Sequence, residues 1–132
     1  MYLLDTNTCI FIINKKPSCV LNKLRSVVGQ GIYLSSITVA ELQCGVYNSQ
    51  NIERNRIALT EFLTLFQILN FDDTDAEQSG IIRVQLKKAG KLIGPYDMLI
   101  AAQALVKDFI LVTNNTEEFS RIKNLKLEDW KD

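Results

Sequence analysis

Histidine is absent from the 132 residues, and that single gap removes whole classes of chemistry. Ser-His-Asp and Cys-His hydrolases are excluded, as are imidazole zinc sites and RNA cleavage by paired imidazoles. Chemistry near neutral pH must then rest on carboxylates, a metal, lysine or a bound cofactor. The three cysteines, Cys9, Cys19 and Cys44, offer no CxxC pair and read as small buried hydrophobes in a reducing compartment. Net charge is also missing, with 15 basic and 15 acidic side chains, so any nucleic-acid binding needs a local basic patch. No apolar stretch approaches the roughly 18 residues of a membrane-spanning helix. The opening Met1-Tyr2-Leu3-Leu4-Asp5 has no basic start and no cleavage site, so a cytoplasmic protein without membrane contact is expected.

Prolines are few, Pro17 and Pro95 alone, and there is no repeat, linker or low-complexity tract. A single domain over residues 1–132 is expected, with 47% hydrophobic side chains to fill its core. Tyr2-Leu3-Leu4 reads as a buried strand feeding a helix at Asp5-Thr6-Asn7 that Asn14 to Pro17 ends. Helical spacing continues over residues 18–28, and Gly29 and Gly31 break it. A second strand at 32–34 leads into a helix over 38–47, and a longer helix over 52–66 leads into a third strand at Ile68-Leu69. Thr74 to Glu77 fits a capping box opening a helix that Gly90 stops. Residues 97–106 form a buried helix, 109–113 the most β-rich run, and a last strand lies near 125–127. Strands alternating with helices imply a three-layer α/β/α domain around a mainly parallel sheet.

In such a sheet, chemistry gathers beyond the carboxyl ends of the strands. Asp5 ends the first strand, Glu41 lies in the opening turn after the second, and Asp97 starts the buried helix. Asn115, Glu117 and Glu118 follow the strand that ends at Thr113. Each acid has an ordinary alternative: Asp5 as a helix cap, Glu41 as the partner of Thr38 in a capping box, Asp97 as a first-turn charge. Together they are harder to dismiss. Clustered acids without a basic partner repel and raise one another's pKa unless a cation sits between them. Hard oxygen donors suit Mg²⁺ or Mn²⁺, which can activate water and offset charge on a phosphodiester. The number of ions is left open.

Five segments in order, LLDTN (3–7), SSITVAELQCG (35–45), IGPYDMLIAA (93–102), LVTNNTEEF (111–119) and LEDW (127–130), resemble a PIN domain. Within it the chain is similar to the VapC ribonuclease toxins of bacterial type II toxin–antitoxin systems. The resemblance implies a Mg²⁺- or Mn²⁺-dependent endoribonuclease with catalytic and metal-binding acids at Asp5, Glu41 and Asp97. A fourth acidic position of the family falls on Asn115, a departure: either the amide ligates without charge or Glu118 supplies the carboxylate. Thr6, Asn7 and Thr113 match polar residues that orient these acids. The resemblance further implies a homodimer and a VapB antitoxin whose C-terminal segment covers the active-site groove. That antitoxin, through its other domain, binds operator DNA. Structured RNA is the implied substrate, transfer RNA in particular, with the initiator species linked to the subgroup this chain resembles. Lys15 and Lys16, with Lys87, Lys88 and Lys91, are candidates for RNA binding, and Tyr96 either stacks a base or packs in the core. The competing readings are a catalytically inactive PIN-like module that binds RNA or a partner, and a metal-dependent phosphatase or phosphotransferase.

Overall fold

A computed structural model describes residues 1–131. Five short strands, β1 (Tyr2–Leu4), β2 (Ile32–Ser35), β3 (Gln67–Leu69), β4 (Ile110–Val112) and β5 (Leu127–Glu128), form one sheet in the order β3-β2-β1-β4-β5. Every neighbouring pair is parallel, with Leu4 opposite both Leu34 and Val112. Among the described residues seven helices cover the two faces: α1 (Thr6–Asn14), α2 (Ser18–Val27), α3 (Ser36–Tyr47), α4 (Ile52–Leu63), α5 (Asp73–Lys88), α6 (Pro95–Lys107) and α7 (Thr116–Phe119). The expected three-layer α/β/α arrangement is what forms, and the sheet is wholly parallel.

Period-two alternation along the strands builds two cores. Leu4, Leu34 and Val112 point to a layer with α1 to α4 that includes Ile12, Val20, Leu59 and Phe62. Leu3 and Leu111 point the other way, against Ile82, Leu86, Ile100 and Phe119 of α5, α6 and α7. In α6 the run from Ile100 to Ala104 is buried without a break, which the small side chains Ala101, Ala102 and Ala104 permit. The C-terminus is pinned by Trp130, which is buried edge-on to Tyr2 at 5.6 Å and donates its Nε1–H to Glu128 at 3.0 Å.

Several boundaries differ from the sequence reading. The capping box of α5 is not Thr74 with Glu77: Asp72 accepts from the Asp75 N–H at 3.0 Å, and Asp75 accepts from the Asp72 N–H at 2.9 Å. Both pairs have the required spacing, and the chain direction leaving β3 selects the earlier one. Helix α3 starts at Ser36 behind a Ser35 cap, so Glu41 lies in its second turn, not its first, and Thr38 is inside the helix. Asp97 is the third residue of α6, which opens on Gly94 and Pro95. Helix α4 ends at Leu63, and the last strand is shifted to Leu127–Glu128. Gly29 and Gly31 both take positive φ, 95° and 84°, at the turn into β2. Among the described residues no helix is long and apolar enough to cross a membrane.

Candidate active site

The strand order reverses at β1: the chain moves outward through β2 and β3, then returns to the other side of β1 as β4. Such a switch point opens a crevice beyond the carboxyl ends of the central strands. Asp5 occupies it. Its N–H donates to the Val112 carbonyl at 3.0 Å, tying it to β4, and its Oδ1 accepts from the Thr8 N–H at 2.8 Å as the cap of α1. The structural reading of Asp5 as a helix cap is what forms, at the sheet edge where the chemical reading also expects it. The side chain is only 4% exposed, and burial raises its pKa above the ordinary carboxylate value. The side chains of Thr113 and Thr8 lie against it and oppose that rise, while Asp129, just beyond β5, adds repulsion.

Asp97 reaches the same crevice from the first turn of α6, with Oδ2 turned back toward the cap residue Gly94. A Cβ on Gly94 would stand 3.4 Å from that oxygen. Partial burial, and then the charges of Asp5, Glu41 and Glu118, push the Asp97 pKa up to about 6. Three other carboxylates thus surround Asp97 closely enough for it to feel each one. None of the four acids forms a salt bridge among the described residues.

Glu41 is aimed by a neighbour on another element: the Thr6 hydroxyl donates to its Oε1 at 2.7 Å. Asn115 caps α7, donates its N–H to Thr113 Oγ1 at 3.0 Å, and donates its side-chain amide to Glu118 Oε2 at 2.7 Å. The carboxylate facing Asp97 at this corner is therefore Glu118, with Asn115 holding it. Glu117 is exposed.

The other sequence candidates separate. Thr6 and Thr113 touch the acids. Asn7 is exposed, and its side chain makes no hydrogen bond among the described residues, because the second residue of α1 faces outward. Lys15 and Lys16 follow α1 at the end opposite Asp5, whereas Lys87 and Lys88 end α5 and lead with Lys91 toward the first turn of α6. All five lysines are exposed. Tyr96 is 57% exposed, which excludes the packed-core alternative for its ring. Of the three cysteines expected to be buried, only Cys9 is, and burial pushes its thiol well above its ordinary value; Cys19 is half-buried and Cys44 is exposed, on the outer side of α3. Two supporting residues escape sequence reading. Thr8 supplies the N–H that fixes Asp5, and Thr38, wholly buried, stands 3.3 Å from the Thr6 hydroxyl. The T-x-x-E spacing in α3 was the available signal for Thr38, read there only as a cap.

The donor set fits a hard divalent cation: carboxylate oxygens, no imidazole, and negative charge with no cationic side chain set against it. As they stand, no three acidic or thiol groups among the described residues are drawn tightly enough to form a finished cage. Beside Glu41, an apolar groove between α1, α3 and α4 is walled by Ile10, Ile13, Leu42, Val46 and Leu59.

Comparison with known proteins gives the family of the chain. Residues 2–125 match the PIN domain family. The tRNA(fMet)-specific endonuclease VapC of Shigella flexneri is 40% identical over 129 residues, covering 98% of this chain and 97% of that protein. Ribonuclease VapC2 of Rickettsia felis is 42% identical over 131 residues, covering 98% of each chain. A crystal structure of VapBC2 from Rickettsia felis, bound to a DNA fragment from their promoter, superposes with a TM-score of 0.92 over 98% of both chains. The chain belongs to the PIN domain family and, within it, to the VapC ribonucleases.

Proposed function

We propose that this protein is a toxin endoribonuclease that works with Mg²⁺ or Mn²⁺ and cuts structured RNA, transfer RNA in particular and the initiator species first among them. The observation that carries the reading is the gathering of Asp5, Glu41, Asp97 and Glu118 at the switch point of the sheet, close enough for their charges to raise the Asp97 pKa, with none of them in a salt bridge among the described residues. Asp5, Glu41 and Asp97 would hold the ion, with Glu118 completing the negative rim. When bound, the cation supplies Lewis acidity, activating water and offsetting charge that builds on a phosphodiester. The chain's own residues set the geometry. The α1 N-terminus fixes Asp5, Thr6 aims Glu41, and Asn115 holds Glu118. Initiator transfer RNA is favoured by the name of the Shigella relative.

The same reading includes a VapB-type antitoxin, supported by the complexes in which similar chains are solved. Its apolar segment would lie in the groove that runs from Glu41 between α1, α3 and α4. Operator DNA would then be contacted through the antitoxin, and the toxin would pair as a homodimer.

Sequencing of RNA 5′ ends after brief expression, wild type against D5A, tests the proposal. New ends within transfer RNA are expected from the wild type only. Identical end profiles from the two would mean the chain binds RNA or a partner without cutting.

A further inference from the structure

Glu41 does not stand alone. Thr6 donates to its Oε1 at 2.7 Å, and the Thr38 hydroxyl lies 3.3 Å from the Thr6 hydroxyl. A hydroxyl has one proton to give. The short contact to a carboxylate takes the proton of Thr6, so in the longer contact Thr38 donates and Thr6 accepts. Thr38 is 0% exposed, and the Thr6 hydroxyl is the hydrogen-bond partner its side chain has among the described residues. A buried hydroxyl without a partner is costly, and a threonine inside a helix commonly bonds back to a carbonyl of the preceding turn. Here it reaches across to α1 instead. Thr38 also sits one turn before Glu41 on the same helix, so the two face one direction.

We infer that Thr38 is a positioning residue for Glu41: its buried hydroxyl locks Thr6 in the orientation that donates to the Glu41 carboxylate. The relay spans α3 to α1 and back to α3, so it holds Glu41 relative to Asp5, the cap of α1. It rests on the reading of Glu41 as a metal-holding acid.

The test measures Mn²⁺ uptake without RNA, by the loss of the free-ion EPR signal, in the full-length protein. T38V removes the hydroxyl and should weaken Mn²⁺ binding about fivefold, the effect of one neutral hydrogen bond. T38S keeps the hydroxyl and should restore affinity to within about twofold of wild type. Because Thr38 acts through Thr6, adding T38V to T6V should cause no further loss. Wild-type Mn²⁺ affinity in T38V overturns the relay, as does a loss that adds fully in the T6V background. A lower melting temperature with unchanged Mn²⁺ affinity marks Thr38 as packing only and overturns it too. Should T38V not fold, T38A takes its place in the same cycle. If E41Q loses Mn²⁺ while T38V keeps it, the relay alone fails; if the wild type takes up no Mn²⁺, the proposed function fails and the relay with it.

Discussion

Asp97 holds its proton to about pH 6 because it is half-buried and ringed by Asp5, Glu41 and Glu118, whereas an ordinary aspartate releases it near 3.8. Between those values the folded protein binds more protons than the unfolded chain, so metal-free stability falls as pH rises through that window. In EDTA, the wild-type melting temperature is expected to drop from about pH 4 to about pH 6 more than that of D97N. Above the window D97N should be the more stable protein, while its RNA cleavage falls about a hundredfold or more. A wild-type melting temperature that climbs over the same interval relative to D97N would contradict the cause given for the shift. Asn115 presents a second test. Its amide bonds Glu118 at 2.7 Å, so N115D sets two carboxylates against each other. We expect a lower melting temperature without metal and a larger rise on adding Mn²⁺; calorimetry showing an unchanged metal-induced rise would place this corner outside the ion's reach. Asp5, Glu41 and Asp97 were legible as residues because each follows or precedes a strand-end signal. Thr38 was not, since its value depends on a threonine from another helix.

At the scale of elements, the parallel strands bring the ends of α1, α3 and α6 to one edge, and α7 closes the corner from β4. The lysines divide along the same lines. Lys87, Lys88 and Lys91 lie between the end of α5 and the start of α6, close in chain to Asp97, whereas Lys15 and Lys16 are at the far end of α1. K87E/K88E is therefore expected to raise the KM for RNA severalfold at moderate salt while leaving Mn²⁺ affinity unchanged. A normal KM would move the RNA path elsewhere. Element types were readable from apolar spacing, but ends were not. Thr74-Asp75-Ala76-Glu77 satisfies the usual capping pattern, yet the box that forms is Asp72 with Asp75, at the same spacing two residues earlier.

For the whole molecule, the zero net charge means that affinity for RNA must come from local patches and from the fold of the RNA itself. On the proposed reading, a segment of the antitoxin lying in the apolar groove would reach Glu41, which lines it. Ile10, 39% exposed on its wall, is a suitable probe. I10E should weaken antitoxin binding by about thirtyfold, the loss of one central apolar contact, with RNA cleavage by the free toxin preserved. Equal antitoxin affinity by calorimetry would remove that segment from the groove.

Residue types and their spacing were enough to determine the fold class and to narrow the candidate chemistry to carboxylates. Without histidine, the acids at strand ends became the leading candidates for the site, and alternating strands and helices implied the parallel sheet that forms. Which acids meet was decided by tertiary pairing: β2 beside β1 brings Glu41 toward α1, and β4 lies on the other side of β1. That pairing sets Thr113 against Asp5 and brings Glu118 within reach of Asp97 from a distant stretch of chain. Local periodicity reports which way a side chain faces along its own element. The distance between two side chains on different elements is a property of packing, and no neighbouring residue in the chain encodes it.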